Sequence, residues 1–429
     1  MTDRGLPAAP EVTAVVPTVG RSPWLAACLQ ALRRQADAAS LEILVVDQAP
    51  QPLALPPGLA DRVLRPERNL GFAGGTNLGL AAARGELLAT VNDDAVVAPG
   101  WLTALTAALR ADPRAAAAQG INILGSPAGM EPGGAGGQPG GAGGQPGERG
   151  ADEPERIDGC GLGWNRWWQA IQIGHGEPLP PLTGEDQAPA LPTASVQAAM
   201  PPAASSMAKV PPAASRLAPR QPVTLDLAPG PASASTIAVA EIFGVSATAA
   251  LFRRTALEKV ALGGQVFDPR LVSYYEDAEL AGRLRAAGFH ALLAPAARAR
   301  HAGSASGRTG TAGRERWRLI YGNRYLAAAR LLGRGLWPRL PLMLLRDLLD
   351  LAGPAALLHA LGWHDSRGLP GESGAAPGSP GARRGRLTGM VAGWGRALRQ
   401  LPAFARIGAP ALAPAEVARL SRWPIQPRP

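Results

Sequence analysis

The chain is poor in several things. It has two cysteines, Cys28 and Cys160, in 429 residues. That excludes a disulfide framework, and no cysteine spacing suits a metal. Lys209 and Lys259 are the only lysines, so the net charge of +10 rests almost wholly on arginine. The opening residues, MTDRGLPAAPEV, lack the apolar run of a secretory signal, so a cytoplasmic protein is expected. The most apolar late segment, residues 336–363, is broken by Arg339, Arg346, Asp347 and Asp350. Its apolar runs fall short of the ~20 residues that a spanning helix needs. An amphipathic helix pair, lying on a membrane surface or on the main domain, is expected instead. Arginine in excess suits anionic partners such as phosphate esters or an acidic membrane. No nucleic-acid-binding motif accompanies it, and nucleic acid is not expected as a partner.

Hydrophobic residues make up 46% of the chain, enough for one large or two medium domains. Glycine and proline gather in two tracts. Residues 126–155 are Gly/Pro-rich with GGAGGQPG repeated, and residues 178–235 are Pro/Ala-rich. Neither can bury enough apolar surface to order itself, and both are expected to be disordered insertions. They divide the chain into 1–125, a short segment 156–177, 236–313, and basic helices over 314–429. The segment 156–177 holds three close tryptophans, whose packing into the core is favoured over stacking on a ligand.

Apolar residues 11–16 predict a first strand ending at Pro17-Thr18. Ser22-Pro23 predicts the start of a helix. Residues 41–46 predict a second strand ending on Asp47, which makes a βαβ unit with parallel strands. Asp47 reads equally as an Asx turn or as a carboxylate for a nucleotide. Gly71, Gly74, Gly75 and Gly79 crowd the turn before a helix predicted over 76–83. Such a turn lets backbone approach a ligand, and a helix N-terminus favours anions. The spacing fits neither a Walker loop nor GxGxxG.

The chain is organised around residues 69–98, NLGFAGGTNLGLAAARGELLATVNDDAVVA. There an apolar strand ends in Asn92, Asp93 and Asp94. Polar groups at the C-terminal end of such a strand face the crevice where open α/β sheets bind ligands. Adjacent carboxylates repel unless neutralised, and a divalent cation would do that. The plainer reading is a turn and helix cap ahead of Pro99. Further strands are predicted at 115–124 and 290–295, and helices at 99–109, 254–261, 314–334 and 387–407, with a linker over 368–386. Glu276, Asp277 and Glu279 open another helix. Its dipole alone would explain them, but their density beside two tyrosines suits a general base. His301 follows in a polar loop, either solvated or in contact with metal or phosphate.

With these residues placed, the chain resembles the family 2 glycosyltransferases, and within them the rhamnosyltransferase-like branch that builds surface polysaccharides. The matching pieces are TAVVPTVGR, EILVVDQ, the 69–97 stretch, FGVSATAALFRR, FDPRLVSYYEDAELAGRLRAAGF, ARHAGSASG and RWRLIYGNRYLAAAR. The resemblance implies an α/β chain of the GT-A, Rossmann-like kind. Its mixed, mostly parallel central sheet would be flanked by helices and followed by C-terminal amphipathic helices. It implies a metal-dependent inverting transfer of sugar from a nucleotide-sugar donor to a hydroxyl of a lipid-linked or polysaccharide acceptor, in cell-surface glycan synthesis. Pro17, Thr18, Asp47, Gly74, Gly75, Asn77, Asn92 and Asp93 would then bind the donor. Asp94 and His301 would hold Mg²⁺ or Mn²⁺. Asp277, with Glu276 beside it, would be the general base. The C-terminal helices would hold the enzyme at the inner face of the plasma membrane. Asp47 is followed by Gln-Ala-Pro where relatives carry Asn-x-Ser, and Glu279 stands where Asp is common. The alternatives are a nucleotide-binding scaffold without turnover and a sugar-phosphate nucleotidyltransferase. The latter should show an N-terminal glycine-rich loop with lysine, which this chain lacks.

Overall fold

The structure is a computed structural model and describes residues 9–35, 40–125, 155–179, 239–303, 310–352, 380–405 and 413–422. The two expected insertions fall almost wholly outside these residues. The first half builds β1 (Val12–Thr18), α1 (Leu25–Arg33), β2 (Leu41–Asp47), β3 (Arg62–Leu64), α2 (Gly71–Ala82), β4 (Leu87–Val91), β5 (Ala95–Val97), α3 (Trp101–Ala111) and β6 (Ala115–Leu124). Three short strands follow, β7 (Ile157–Gly159), β8 (Leu162–Trp164) and β9 (Ala170–Gln172). Then come β10 (Ala240–Ile242), β11 (Ala249–Arg253), α4 (Arg254–Val260), α5 (Glu276–Ala286) and β12 (His290–His301). The chain ends in α6 (Gly310–Leu332), α7 (Leu340–Ala352), α8 (Pro380–Ala405) and α9 (Pro414–Arg419).

One mixed sheet runs β10-β12-β6-β11-β4-β1-β2-β3, with β5 beside β12 and β7 beside β6. Strands β1 to β4, β6 and β12 share one direction, while β5, β7, β10 and β11 oppose it. The expected mixed, mostly parallel sheet flanked by helices is what forms. The apolar faces of α1 and α3 cover one side of it. Helices α2, α4 and α5 cover the other. A third core joins α6 to α9 with the outer face of α5 and the sheet β8-β9. Trp164 and Trp167 are buried, so the tryptophan segment packs into protein as favoured.

Several elements differ from expectation. Ser22-Pro23 does not open α1, which starts at Leu25; the Ser22 hydroxyl accepts from the Trp24 amide in the preceding turn. The glycine-rich turn before 76 is itself helix, from Gly71 onward. Glycine is needed there because α2 lies close on the sheet: a Cβ at Gly79 would stand 2.3 Å from Val15 Cγ1. The predicted strand 290–295 runs on to His301, which is therefore in a strand and not a loop. The predicted linker 368–386 is helical from Pro380. Helix α8 lies close along α6, where a Cβ on Gly322 would meet the Gly393 carbonyl at 3.0 Å.

Helix α7 is amphipathic, but turned opposite to the usual sense. Two of the charged residues that break its hydropathy, Arg346 and Asp347, are buried. Asp347 takes hydrogen bonds from Arg324, the Tyr325 hydroxyl and Trp394 Nε1. The outer face carries Leu342, Leu345 and Leu348, each nearly half exposed. The predicted continuation to 363 lies outside the described residues.

Candidate functional site

The C-terminal ends of the parallel strands β1, β2 and β4 gather the first group of residues. Thr18 and Asp47 are register partners, with Pro17 opposite Val46 just before them. Asn92, Asp93 and Asp94 leave β4 directly in a tight turn to β5. The Thr18 hydroxyl donates to the Asp93 carboxylate, and the Gly20 amide donates to the Thr18 oxygen at 3.0 Å. Ser22 Oγ donates to the Asp93 carbonyl at 2.9 Å. Burial pushes the Asp93 carboxyl up to about 6, partly opposed by the Thr18 bond and reinforced by Asp94.

Asp47 is buried and already engaged. It accepts from the amides of Ala49 (2.9 Å) and Leu53 (3.0 Å), and from Arg65 Nη1 at 2.6 Å. That is the Asx-turn reading, strengthened by an ion pair. The glycine-rich helix is likewise engaged within the protein. At its N-terminus, Leu70 N donates to Gln48 Oε1, Gly71 N to Asn69 Oδ1, Phe72 N to Ser273 Oγ and Ala73 N to the Val272 carbonyl. Gly74 packs against Leu70 and Gly75 against the Gln48 amide. Asn77 exchanges two hydrogen bonds with the Phe267 backbone, at 2.7 and 2.9 Å. Packing and capping account for these positions in α2.

Asp94 meets His301. The end of β12 runs beside the Asn92–Asp94 turn, and Ala302 N donates to the Asp94 carbonyl at 3.0 Å. His301 Nε2 stands 3.3 Å from Asp94 Oδ1, and its Nδ1 is 2.8 Å from Asp158 Oδ2. His175 Nδ1 lies 3.6 Å from the other Asp158 oxygen. Burial alone would lower the His301 pKa, but Asp158 and Asp94 together hold it well above its usual value. Burial raises Asp158 as well, yet His301 and His175 outweigh it and keep that carboxyl ionised. Sequence reasoning missed Asp158; its only trace is a lone acid among glycines in IDGCG.

The pair fits a small divalent ion. Two ligand atoms in neighbouring positions of an octahedron with ~2.1 Å bonds lie about 3 Å apart, close to the Asp94–His301 separation. Asp158 takes the other imidazole nitrogen, so Nε2 is the atom that could face an ion once it gives up its proton. Among the described residues no group of three or more His, Cys, Asp or Glu side chains could hold a metal. Two protein ligands with the shell completed by substrate phosphates is the usual pattern for Mg²⁺-type sites.

The second group opens α5. Asp277 Oδ1 accepts from Ala278 N at 2.8 Å, and Oδ2 is 3.4 Å from Ala247 N. Burial raises Asp277 to about 6, against the pull of these amides and the Ser246 hydroxyl. Glu276 is buried, and its Oε2 has no protein partner among the described residues. Burial, with Asp277 adding to it, pushes Glu276 well above the carboxylate range. The backbone leading in is strained: Val272, Tyr274 and Tyr275 have φ of 65, 67 and 68°. Each such residue costs on the order of 1–3 kcal/mol and persists only where its surroundings over-determine it.

One short segment joins the two groups. Thr248 accepts from Asn92 N at 2.8 Å, Ser246 Oγ is 3.0 Å from Thr248 Oγ1, and Ala247 N faces Asp277. Residues 246–248 therefore touch both the turn after β4, through Asn92, and the first turn of α5, through Asp277. Asp277, raised by burial, and the turn that carries Asp94 beside His301 thus border one short segment.

No curated protein matches the chain. Among solved structures, GalNAc-T7 with UDP, GalNAc and Mn²⁺ is 14% identical with a TM-score of 0.41, over 85% of this chain and 59% of that one. The mannosyltransferase PcManGT from Pyrobaculum calidifontis, in complex with GDP-Man and Mn²⁺, is 16% identical with a TM-score of 0.41, over 91% and 87%. S. aureus TarS is 14% identical with a TM-score of 0.34, over 76% and 43%. Residues 13–128 match the family model for glycosyl transferase family 2. The part of this chain that matches that family model runs from β1 to just past β6, with Thr18, Asp47 and Asn92–Asp94 inside it.

Proposed function

We propose that the chain is a metal-dependent, inverting glycosyltransferase that moves a sugar from a nucleotide-sugar donor to an acceptor hydroxyl. The observation that carries this reading is the meeting of the Asn92–Asp94 turn and Asp277 on residues 246–248. Thr18, Asn92 and Asp93 line the donor's ribose and diphosphate, and Asp47 with its Arg65 partner borders the base. Asp94 and His301 would hold Mg²⁺ or Mn²⁺, which when bound would supply positive charge against the departing nucleoside diphosphate. Asp277 takes the proton from the acceptor hydroxyl as that oxygen bonds to the anomeric carbon. The bond from that carbon to the diphosphate oxygen breaks on the opposite face, and the centre inverts. Glu276 stays protonated, so the pair carries one negative charge rather than two.

The finer reading is a rhamnosyltransferase-like enzyme of surface polysaccharide synthesis, acting on a lipid-linked or growing glycan; it rests on the order of the sequence motifs. The outward leucines of α7 favour work at a membrane surface. So do Leu387, Val391 and Leu398 on α8, each close to or above half exposed, and Trp337 between α6 and α7. Exposed Arg384 and Arg399 border the α8 residues, and an apolar face edged by arginine suits anionic lipid. No helix among the described residues is long and apolar enough to cross a bilayer.

The test is a panel of nucleotide sugars. Thermal shift with and without Mn²⁺ finds the donor, because a bound ligand stabilises the native state. Release of nucleoside diphosphate then separates an enzyme from a scaffold. Metal-dependent binding without any release, to water or to an added glycan acceptor, would decide for the scaffold.

A further inference from the structure

The strained backbone ahead of Asp277 is held by one side chain. Asn323 lies in the middle of α6 and is fully buried. Its Nδ2 stands 2.7 Å from the Leu271 carbonyl, 2.8 Å from that of Ser273 and 2.7 Å from that of Tyr274. Two amide hydrogens are thus shared among three acceptors on the loop that carries the left-handed residues. Asn323 Oδ1 accepts from Arg396 Nη1, and Arg396 Nη2 donates to the Arg270 carbonyl. This fixes the amide's orientation: flipped, it would set NH₂ against a guanidinium and oxygen against three carbonyls. Arg396 is itself buried and comes from α8. From the far side, α2 grips the same loop through the Ala73 amide on Val272 and the Phe72 amide on Ser273 Oγ.

Both polar atoms of the Asn323 side chain are spent on the loop or on the arginine that backs it. Helix α5 starts one residue beyond the last left-handed residue. A change of φ at Tyr274 or Tyr275 would swing its first turn and carry Asp277 away from Ala247.

We propose that Asn323, backed by Arg396, is a positioning residue for the reaction: it holds residues 272–275, three of them at positive φ, in the shape that sets Asp277 against Ala247. This rests on the reading of Asp277 as the general base. Asn323 touches no substrate and acts through the loop alone.

The experiment uses the full chain and three variants: Asn323→Ser, Asn323→Ser with Val272→Gly, and Asp277→Asn. The probe is whichever of UDP-glucose, UDP-galactose, UDP-N-acetylglucosamine, dTDP-rhamnose and GDP-mannose is bound best with Mn²⁺, with water as acceptor. Asn323→Ser should lower kcat by about tenfold or more, leave the Kd of the nucleoside diphosphate within about twofold, and speed hydrogen exchange about tenfold over 271–279 only. Glycine at 272 relieves the strain that Asn323 would otherwise restrain, and should return at least about threefold of the lost kcat. An unchanged kcat, faster exchange spreading to β1, β2 and β4, or no recovery with glycine would each overturn the proposal. If Asp277→Asn turns over normally, the base reading falls, while exchange over 271–279 still judges the clamp. If Asp277→Asn is dead and Asn323→Ser is not, the clamp falls alone. Should Asn323→Ser not fold, Arg396→Gln must give the same pattern in weaker form, and its absence overturns the proposal.

Discussion

His301 is shared between two acids: Nε2 stands 3.3 Å from Asp94, and Nδ1 is bonded to Asp158 at 2.8 Å. The ring cannot turn without losing one of them. Asp158 comes from β7, outside the stretch that matches the family model. Carboxylates behind a ligating histidine typically carry ~10–100-fold in metal affinity. Asp158→Asn is therefore expected to weaken Mn²⁺ binding, in the presence of UDP or GDP, by about tenfold. Electron paramagnetic resonance of free Mn²⁺ reads this without turnover. Removing the ion with EDTA should abolish nucleotide release, and Mn²⁺ should restore it.

The raised carboxyl of Asp277 sets a pH limb. A group shifted up to about 6 is protonated below that pH and ionised above it. A base must be ionised, so kcat should fall as pH drops through about 6 and level off above it. Asp277→Asn should lose about 10²–10⁴ in kcat, and a limb near 6 that persists in it would belong to Asp93, which burial raises to about 6 as well. Nucleotide affinity, measured by calorimetry, should stay close to wild type.

Stability should depend on the inward charges of α7 far more than on surface pairs. Asp347→Ala strands the buried Arg324 guanidinium, and breaking a buried pair costs ~3–5 kcal/mol. Glu315→Ala removes an exposed partner of Arg318, worth ~0–1 kcal/mol. Urea unfolding of the two variants gives the comparison directly.

The leucine face predicts a lipid preference. Vesicles of phosphatidylcholine with a quarter phosphatidylglycerol, a composition set on the order of natural anionic membranes, should sediment with the protein. Pure phosphatidylcholine should carry much less. Leu345→Glu with Val391→Glu should abolish sedimentation while leaving nucleotide binding intact.

The buried strands were legible from their apolar runs. Residues 115–124 are small or apolar almost throughout, and they form β6, buried along nearly all its length, as expected. The acids at 276 and 277 open α5 as read, because a first helical turn rewards negative charge. What misled were residues whose local preference lost to packing. Glycines at 71 and 75 suggest a turn, yet α2 needs them in order to approach Val272 and Gln48. His301 sits among small polar residues that read as loop, but pairing with β5 and β6 draws it into a strand. Asp158 was invisible because its partner lies 143 positions away. Arg346 and Asp347 read only as breaks in an apolar run, and it takes the buried Arg324 and Tyr325 bonded to Asp347 to reveal that this side of the helix faces inward.

The inverted helix α7 also tells an engineer where to cut and where not to. Deleting it to make a better-behaved sample would orphan Arg324, whose guanidinium also caps the backbone at Trp167 and Trp168. The indole-rich wedge behind α5 would come loose with it. Repainting the outer leucines with serine or glutamate keeps the inner fastening, and should yield a protein that remains dispersed without detergent.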